Sequence, residues 1–353
     1  MLKLLFLSTP VGPLSSGIGG GVEFTLYNLA QEMLRRGHQV NVVAPENSAL
    51  PNTSIIEISG QLQISAQSQE RDILICLPPN SVLGNMWEYA RKVQDQYDLI
   101  FNFAYDWLPF YLTPFFTACP VAHLVSMGSV SEAMDHIILQ TVDQFPHLVT
   151  FYSQTQAETF GIKEAHCLGS AIDLPLYKYV NSPDDYLAWV GRIAPEKALE
   201  DAVAAAQITG IPLKIFGKLQ DIAYWEQIKQ DYPNAPFEYV GFFSTDELQQ
   251  YLGKARALLM TPRWVEAFGN VMIEALACGV PVIAYRRGGP VEVLQDEKTG
   301  FLVEPDSVTG LVEAIQKINT IDRMACRSSA EQDYSLQALG DRTEQWFHHI
   351  LLR

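Results

Sequence analysis

Two cations and two carboxylates in the C-terminal half have the types and spacing expected of a site for an extended anionic ligand. Arg192 and Lys197 lie in a loop directly after an apolar run, at and just inside the start of a predicted helix. Cations at a helix start oppose the helix dipole, so their presence there indicates a bound anion. They could neutralise the charge that builds on a diphosphate leaving group. Two ordinary surface cations are the alternative interpretation.

The second charged segment carries Glu266 and Glu274, whose eight-residue spacing lets the carboxylates reach different parts of one ligand. Asn270 is predicted to cap a helix that runs to about residue 277, with Glu266 in the preceding loop and Glu274 one turn into the helix. In the alternative, Glu266 is a solvated loop acid and Glu274 is a buried partner of a Lys or Arg. Backbone N–H groups at the start of this helix would point at the phosphates of the ligand. They belong to Phe268, Gly269, Asn270 and Val271.

Two further turns are rich in glycine and follow predicted strands. Segment 15–21 lies between the first strand and the first helix, where glycines allow close backbone approach and a helix N-terminus favours an anion. It is not a dinucleotide fingerprint, because Val22 stands where the third glycine belongs; a flexible loop is the alternative. Segment 286–290 could also approach a phosphate, although Arg287 could equally be solvated.

The elements that position these loops alternate between strand-like apolar runs and amphipathic helical runs. Such β-α-β alternation predicts an α/β fold with parallel sheets, organised as two doubly wound domains facing a cleft. Ligands of such sheets bind beyond the carboxyl ends of the strands, where the charged loops lie. The predicted strands are 2–7, 40–44, 72–76, 99–103, 120–125, 148–152, 186–190, 213–216, 237–240, 257–260, 282–285 and 301–303.

A length of 353 residues suggests two domains. The polar, proline-bearing stretch at 170–185 is the predicted linker, which gives domains at 1–170 and 171–334. The last helix, 335–353, carries Trp346 and Phe347 on an apolar face, and it could pack back on the N-terminal domain.

Composition limits the classes of partner. The formal net charge of −16 argues against nucleic acid or an anionic membrane surface as the main partner. No apolar stretch approaches the length of a membrane span, and the apolar start reads as a first strand and not as a signal peptide. Five scattered cysteines without CxxC spacing favour a reducing cytoplasm over a disulfide framework or a zinc site.

With these loops in place, the chain resembles the retaining glycosyltransferase family four, whose members have the two-domain GT-B fold. Order and spacing agree over essentially the whole C-terminal half, and in the N-terminal half mainly over the first forty residues. The matching motifs are Gly20-Gly21-Val22-Glu23, Gly191-Arg192 through Glu196-Lys197, Glu266-Ala267-Phe268-Gly269 with Glu274-Ala275, Ala277-Cys278-Gly279-Val280-Pro281-Val282, Gly288-Gly289 and Thr299-Gly300-Phe301.

Two positions depart from the family pattern. Ala198 stands where many relatives have glycine after the lysine, and Arg263-Trp264 replaces the more usual serine-bearing segment before Glu266. Neither departure removes a charged group, so both are compatible with a donor site.

The resemblance implies a role for each charged group. Arg192 and Lys197 would hold the diphosphate of a nucleotide-sugar donor, Glu274 would accept hydrogen bonds from the ribose hydroxyls, and Glu266 would contact the transferred sugar. The further donor contacts that it implies are Gly20 and Gly21, near the phosphate from the other domain, and Gly217, Lys218, Gly241 and Phe242, near the base.

The resemblance also implies retention of anomeric configuration without a metal ion or a cofactor. The acceptor hydroxyl would attack from the face that the phosphate leaves, and that phosphate could take the proton. His123, at the end of a predicted strand and facing the expected cleft, would touch the sugar or its reacting face; a structural histidine is the alternative.

The acceptor is less determined than the donor. Asp106 and Trp107 are candidate acceptor contacts, and aromatic residues after Ala104 could wall an aromatic or hydrophobic acceptor. We expect a small soluble acceptor, such as a pterin or a phenolic compound, with UDP-glucose as the default donor. A polysaccharide or glycolipid acceptor, with a UDP-, GDP- or ADP-sugar, is the main competitor. The oligomeric state is not readable from the sequence.

Two other classes of protein fit part of the pattern. Nucleotide-sugar epimerases share the GT-B architecture, but the cations and spaced glutamates suit transfer better. A donor-binding partner subunit without catalysis is also compatible with the same residues.

Overall fold

The computed structural model describes residues 1–16 and 20–353, which divide into two compact units. The first unit consists of Met1–Ser170 with Leu336–Arg353, and the second of Ala171–Ser335. Each unit is built on a six-stranded sheet in which all the strand pairs are parallel. The predicted α/β fold with two doubly wound domains is confirmed.

The sheet of the first unit has its earliest strand at its centre, with the strand order β3-β2-β1-β4-β5-β6. Its elements through residue 170 are β1 (Lys3–Leu7), α1 (Gly21–Arg35), β2 (Gln39–Pro45), β3 (Ser54–Ile58), α2 (Val82–Val93), β4 (Leu99–Asn102), α3 (Trp107–Leu112), β5 (Val121–Val125), α4 (Glu132–Gln144), β6 (Val149–Phe151) and α5 (Gln154–Glu158). The central strands β1, β4 and β5 are buried almost throughout, as parallel strands covered on both faces are.

One predicted strand of this unit, at 72–76, is wrong. The structure has no strand there, and Leu74 is 83% exposed. The third strand is instead Ser54–Ile58, which pairs with β2 at the sheet edge and is only partly buried. Continuous apolar runs are typical of central strands buried on both faces, whereas the edge strand Ser54–Ile58 includes the polar residues Ser54 and Glu57.

The second unit repeats the same arrangement, with the strand order β12-β11-β10-β7-β8-β9. Its elements are β7 (Leu187–Val190), α6 (Leu199–Thr209), β8 (Leu213–Phe216), α7 (Ile222–Asp231), β9 (Phe237–Gly241), α8 (Thr245–Leu252), β10 (Ala257–Met260), α9 (Asn270–Ala277), β11 (Val282–Tyr285), α10 (Pro290–Val293), β12 (Gly300–Val303), α11 (Val308–Lys317) and α12 (Arg323–Asp333). The strand order reverses between β7 and β10, and a crevice for ligands opens at such a switch point in doubly wound sheets.

The last helix, α13 (Leu336–Leu351), packs within the first unit. Trp346 and Phe347 each place a ring 5.5 Å from that of Phe101 in β4. At the end of α1, Arg36 donates to Glu344 at 2.5 Å and to the Gln337 carbonyl at 2.8 Å. These contacts bury the apolar face of α13.

We expect Arg36→Ala to lower the free energy of unfolding by about 2 kcal/mol, because it removes the charged hydrogen bonds between α1 and α13. Both Arg36 and its neighbour Arg35 pair with Glu32, at 2.7 Å and 2.6 Å. Arg35→Ala is the matched control, because the Arg35 side chain is 62% exposed and its loss costs at most about 0.5 kcal/mol. Urea denaturation followed by circular dichroism measures both. Equal losses in the two variants would contradict a role for Arg36 in docking α13.

Candidate functional site

The charged loops of the second unit meet because β7 and β10 are neighbours in its sheet. The loop after β7 covers residues 191–198, and the loop after β10 covers residues 261–269. The backbone N–H of Arg263 donates to the Glu196 carbonyl at 2.9 Å. The Thr261 hydroxyl lies 3.1 Å from the Lys197 carbonyl and 2.8 Å from that of Ala198. These cross-links fix the two loops against each other.

Lys197 and Glu266 form the central ion pair of the site, between Nζ and Oε2. The indole N–H of Trp264 donates to the same Oε2 at 3.0 Å. Lys197 Nζ lies 4.6 Å from the centroid of the Trp264 ring, and Arg192 Cζ lies 5.7 Å from it. Arg192 also pairs with Glu196 at 3.0 Å. Glu266 is therefore not the solvated loop acid of the alternative interpretation, and the cations are not isolated surface charges.

The ionisation of Glu266 follows from these neighbours. Burial by itself would raise the pKa of the carboxyl, but the charge and hydrogen bond of Lys197, the indole N–H of Trp264 and the charge of Arg192 hold that pKa below its ordinary value. Glu266 is consequently a carboxylate at neutral pH, ready to accept hydrogen bonds.

The backbone around Lys197 differs from the predicted helix start. Lys197 ends a single 3-10 turn, Pro195–Lys197, and α6 begins only at Leu199. Between them, Ala198 has a left-handed backbone, with φ of +44°. Glycine enters that conformation at less cost than alanine, which gives a physical reason for the glycine of many relatives.

Glu274 lies on α9 with part of its surface exposed, and its Oε1 accepts a hydrogen bond from the Tyr177 hydroxyl at 3.3 Å. Burial raises the pKa of Glu274 to about 7. The hydrogen bond is thus to a tyrosine, and not to the Lys or Arg of the alternative. The predicted cap is wrong by one residue: Gly269, with φ of +91°, precedes the helix, and Asn270 is its first residue.

The turn at 286–290 supports the glutamate loop. Gly289 N donates to the Glu266 carbonyl at 2.7 Å, and a Cβ on Gly288 would overlap that carbonyl, so only glycine fits there. Arg287 pairs with Asp306 at 2.8 Å and donates to the Pro262 carbonyl at 3.0 Å. Arg287 therefore braces the loop that carries Glu266, and it is not merely solvated.

The candidate base-binding residues lie beside the Arg192 turn, at the carboxyl ends of β8 and β9. Ile193 N donates to the Lys218 carbonyl at 2.9 Å, and Gly217 N donates to the Gly241 carbonyl at 2.9 Å. A Cβ on Gly217 would overlap the Gly191 carbonyl, so this close approach also requires glycine. Phe242 is 71% exposed. Contact of these residues with a base stays a prediction.

In the first unit, Gly20 precedes α1 with φ of +62°, and Gly21 begins the helix. Residues 17–19 of the predicted glycine loop lie outside the described residues. The approach of Gly20 and Gly21 to a phosphate stays a prediction.

His123 does not face ligand space, so that prediction is wrong. It lies in the middle of β5 with no exposed surface. Its Nδ1 lies 3.2 Å from the Asn102 amide, its Nε2 lies 2.8 Å from the Thr113 hydroxyl, and its ring stacks on Phe110 at 4.4 Å. Burial lowers the pKa of His123 to about 3, so the ring is neutral at physiological pH. A side chain in a central parallel strand is covered on both faces, which is why His123 is structural.

The acceptor candidates lie at the start of α3. Asp106 immediately precedes the helix, and burial raises its pKa to about 6. Trp107 stacks on Tyr111 with centroids 4.5 Å apart, and Tyr111 contacts Phe115 at 5.6 Å. Tyr111 and Phe115 are 46% and 60% exposed, so part of this aromatic row is open to solvent.

Two residues at the site, Tyr177 and Trp264, carry no predicted role in the sequence. Trp264 stands out only as a departure from the family pattern, although its position two residues before Glu266 is a signal that could identify it. Tyr177 lies in the predicted linker, 97 residues from Glu274, and no sequence pattern connects the two.

Residues 1–16 and 20–353 contain neither a bilayer-spanning helix nor a metal-binding cluster. No helix in that part of the chain combines the length and the apolar character needed to cross a membrane. No group of three or more His, Cys, Asp or Glu side chains in the same residues could hold a metal ion.

Residues 178–333 match the family model described as glycosyl transferases group 1. This segment contains all four charged residues of the site: Arg192, Lys197, Glu266 and Glu274. The second unit is therefore a glycosyl transferases group 1 domain.

Two solved structures share the fold of both units. Sucrose-phosphate synthase from Thermosynechococcus elongatus superposes with a TM-score of 0.77 at 19% identity, over 100% of each chain. Anabaena HepE in complex with UDP-glucose superposes with a TM-score of 0.77 at 17% identity, over 99% of this chain and 100% of that one. The chain has the GT-B fold.

A curated relative in sequence is the 2-deoxystreptamine N-acetyl-D-glucosaminyltransferase of Niallia circulans. It is 29% identical over 215 residues, which are 57% of this chain and 54% of the relative. The chain spans about half the length of this relative.

Proposed function

We propose that the chain is a retaining hexosyltransferase, which moves a sugar from a nucleotide diphosphate donor, by default UDP-glucose, to an acceptor hydroxyl. The observation that carries the proposal is the Lys197–Glu266 pair, flanked by Arg192 and Trp264 at the switch point of a group 1 domain. The choice of UDP-glucose is supported by the shared fold with HepE, which binds it.

The geometry supports a division of labour among the four charged residues. Without ligand, the charge of Arg192 is compensated by Glu196, and that of Lys197 by Glu266. A donor diphosphate would compete for both cations, because it offers more negative charge than either carboxylate. Glu266 would then accept hydrogen bonds from hydroxyls of the transferred sugar, and Glu274 would accept them from the ribose.

The proposed chemistry needs no cofactor beyond the donor. The acceptor oxygen attacks the anomeric carbon on the face that the diphosphate leaves, so the bond to phosphate breaks as the new glycosidic bond forms. The acceptor proton passes to the departing phosphate oxygen, and the products are a glycoside and a nucleoside diphosphate. Arg192 and Lys197 would stabilise the charge that develops on the leaving group.

For the acceptor, we propose a small aromatic molecule, such as a pterin or a phenolic compound. The support is the half-exposed aromatic row of Trp107, Tyr111 and Phe115 beside Asp106 in the first unit. Flat ring systems stack on such side chains. A polysaccharide or glycolipid acceptor is the competing assignment.

A two-stage experiment tests the function. A thermal-shift screen of UDP-, GDP- and ADP-sugars identifies the donor, because a ligand that binds the folded state raises the melting temperature. Incubation with that donor, with and without acceptors, then measures turnover. Release of nucleoside diphosphate only with an acceptor supports transfer. An interconverted sugar would indicate an epimerase, and binding without turnover would indicate an inert partner subunit.

Binding of the donor should depend on pH through Glu274. Its pKa is about 7, so lowering the pH through 7 protonates it and removes the charged acceptor for the ribose hydroxyls. We expect UDP-glucose to bind about 10-fold more weakly at pH 6 than at pH 8, the ratio that the ionised fraction sets. Calorimetry measures this without interference from the ligand, whose diphosphate diester does not titrate in that range. Glu274→Gln should bind more weakly and lose the dependence; a variant that keeps it would contradict the assignment.

A further inference from the structure

Trp264 contacts all three charged side chains that surround the proposed diphosphate position. Its Nε1 donates to Glu266 Oε2 at 3.0 Å, and its ring lies beneath Lys197 Nζ at 4.6 Å and Arg192 Cζ at 5.7 Å. A tryptophan face attracts cations, whereas its N–H favours an anion. One side chain therefore stabilises both signs of charge in the site.

Trp264 and Lys197 share one carboxylate oxygen of Glu266, so the indole can hold Glu266 when Lys197 binds a ligand. Glu266 Oε2 accepts hydrogen bonds from both Lys197 and Trp264. When a diphosphate draws the Lys197 ammonium away, the indole N–H is the donor left on that oxygen. Glu266 then keeps its orientation and its charge at the moment when it has to accept hydrogen bonds from the sugar.

The position of Trp264 is itself well supported. The preceding residue, Arg263, donates from its backbone N–H to the Glu196 carbonyl at 2.9 Å, and its guanidinium pairs with Glu200 and with Asp201. The backbone next to Trp264 is thus tied to the loop at 191–198, which carries both cations.

We propose that Trp264 is a positioning residue, which holds Glu266 through its N–H and places Lys197 and Arg192 through its ring. This role rests on the proposed transferase function and adds to it a residue outside the charged set. The charged groups that face Glu266 are Lys197 and Arg192, and Glu196 in turn pairs with Arg192.

Two substitutions separate the two parts of the role. Trp264→Phe removes the N–H and keeps an aromatic face, so kcat should fall about 10-fold, the effect of one hydrogen bond to a charged group, with little change in the KM for donor. The acid limb of its kcat profile should move to higher pH, because the loss of a hydrogen-bond donor raises the pKa of Glu266. Trp264→Leu also removes the face and should raise the KM for donor.

Trp225→Phe is the matched control in the same unit, because its ring packs against Phe237 and Tyr239, away from the charged loops. It should leave kcat, KM and the pH profile unchanged. If Trp264→Phe behaves like Trp225→Phe, the positioning role is overturned.

A measurement that needs no turnover separates this inference from the proposed function. The chain has six tryptophans, and the indole N–H resonance that disappears in Trp264→Phe identifies Trp264. Glu266→Gln should shift that resonance and abolish its response to pH. An unchanged resonance would overturn the inference even in an active enzyme. If Glu266→Gln shifts the resonance as expected but the wild-type protein transfers no sugar, only the transferase assignment is overturned.

Discussion

Lys197→Ala should lower the turnover of sugar transfer by about 100-fold or more, the scale of losing one preorganised charge that stabilises a leaving group. The ammonium sits between the Glu266 carboxylate and the Trp264 ring, where it is 18% exposed and therefore little screened by water. Most of the loss should appear in kcat, since the charge on the diphosphate grows as its bond to the sugar breaks. Steady-state kinetics with the donor found by thermal shift measures the change.

Lys214→Ala is the control for that experiment, because Lys214 also lies over an aromatic ring, that of Tyr186 at 4.1 Å, but on β8. It should retain wild-type turnover. Lys197→Arg keeps a positive charge with different geometry and should lie between wild type and Lys197→Ala. Near-wild-type turnover in a folded Lys197→Ala protein would refute the assignment of Lys197 to the leaving group.

Glu266→Gln should change binding and turnover in opposite directions. Loss of the carboxylate charge leaves Lys197 without its ion-pair partner and removes a negative charge near Arg192, so UDP should bind severalfold more tightly. Turnover should fall by about 10- to 100-fold, because a neutral amide replaces hydrogen bonds from sugar hydroxyls to a charged group. Calorimetry with UDP and kinetics with the sugar donor give the two values.

The opposite signs distinguish a specific role from general damage to the fold. Glu304→Gln is the control: it removes an acid of the same unit that is 81% exposed and lies 3.7 Å from Arg286. It should change neither value. If UDP binding and turnover both weaken in Glu266→Gln, Glu266 maintains the site structure and does not bind the sugar.

The sequence pattern predicts the strands of the second unit better than those of the first. In the second unit the strands Leu213–Phe216, Ala257–Met260 and Val282–Tyr285 are predicted at their observed bounds, because each is a short run of buried apolar residues, interrupted only by the half-buried Lys214. In the first unit the segment at 72–76 has the same apolar pattern but is exposed. The observed edge strand, Ser54–Ile58, contains polar residues and therefore lacks that pattern. An apolar run shows that a segment can be buried, but whether it is buried depends on the helices and strands that pack around it.

The candidate site shows the same limit at the level of side chains. His123 has the residue type expected for contact with a sugar, but its place in the middle of β5 covers it completely. Trp264 looks like a neutral departure from the family pattern, yet it contacts Lys197, Glu266 and Arg192. Residue type alone indicates neither outcome, because both depend on the direction in which the side chain leaves its strand or loop.

The sequence by itself determined that charged loops follow the strands of parallel sheets, and it determined which chemical groups those loops carry. Only the tertiary structure decided which group pairs with which. Lys197 and Glu266 are 69 residues apart, and the strands that precede them, β7 and β10, are separated along the chain by β8 and β9. They become neighbours because the sheet grows outward in both directions from its first strand, which places the first and fourth strands side by side.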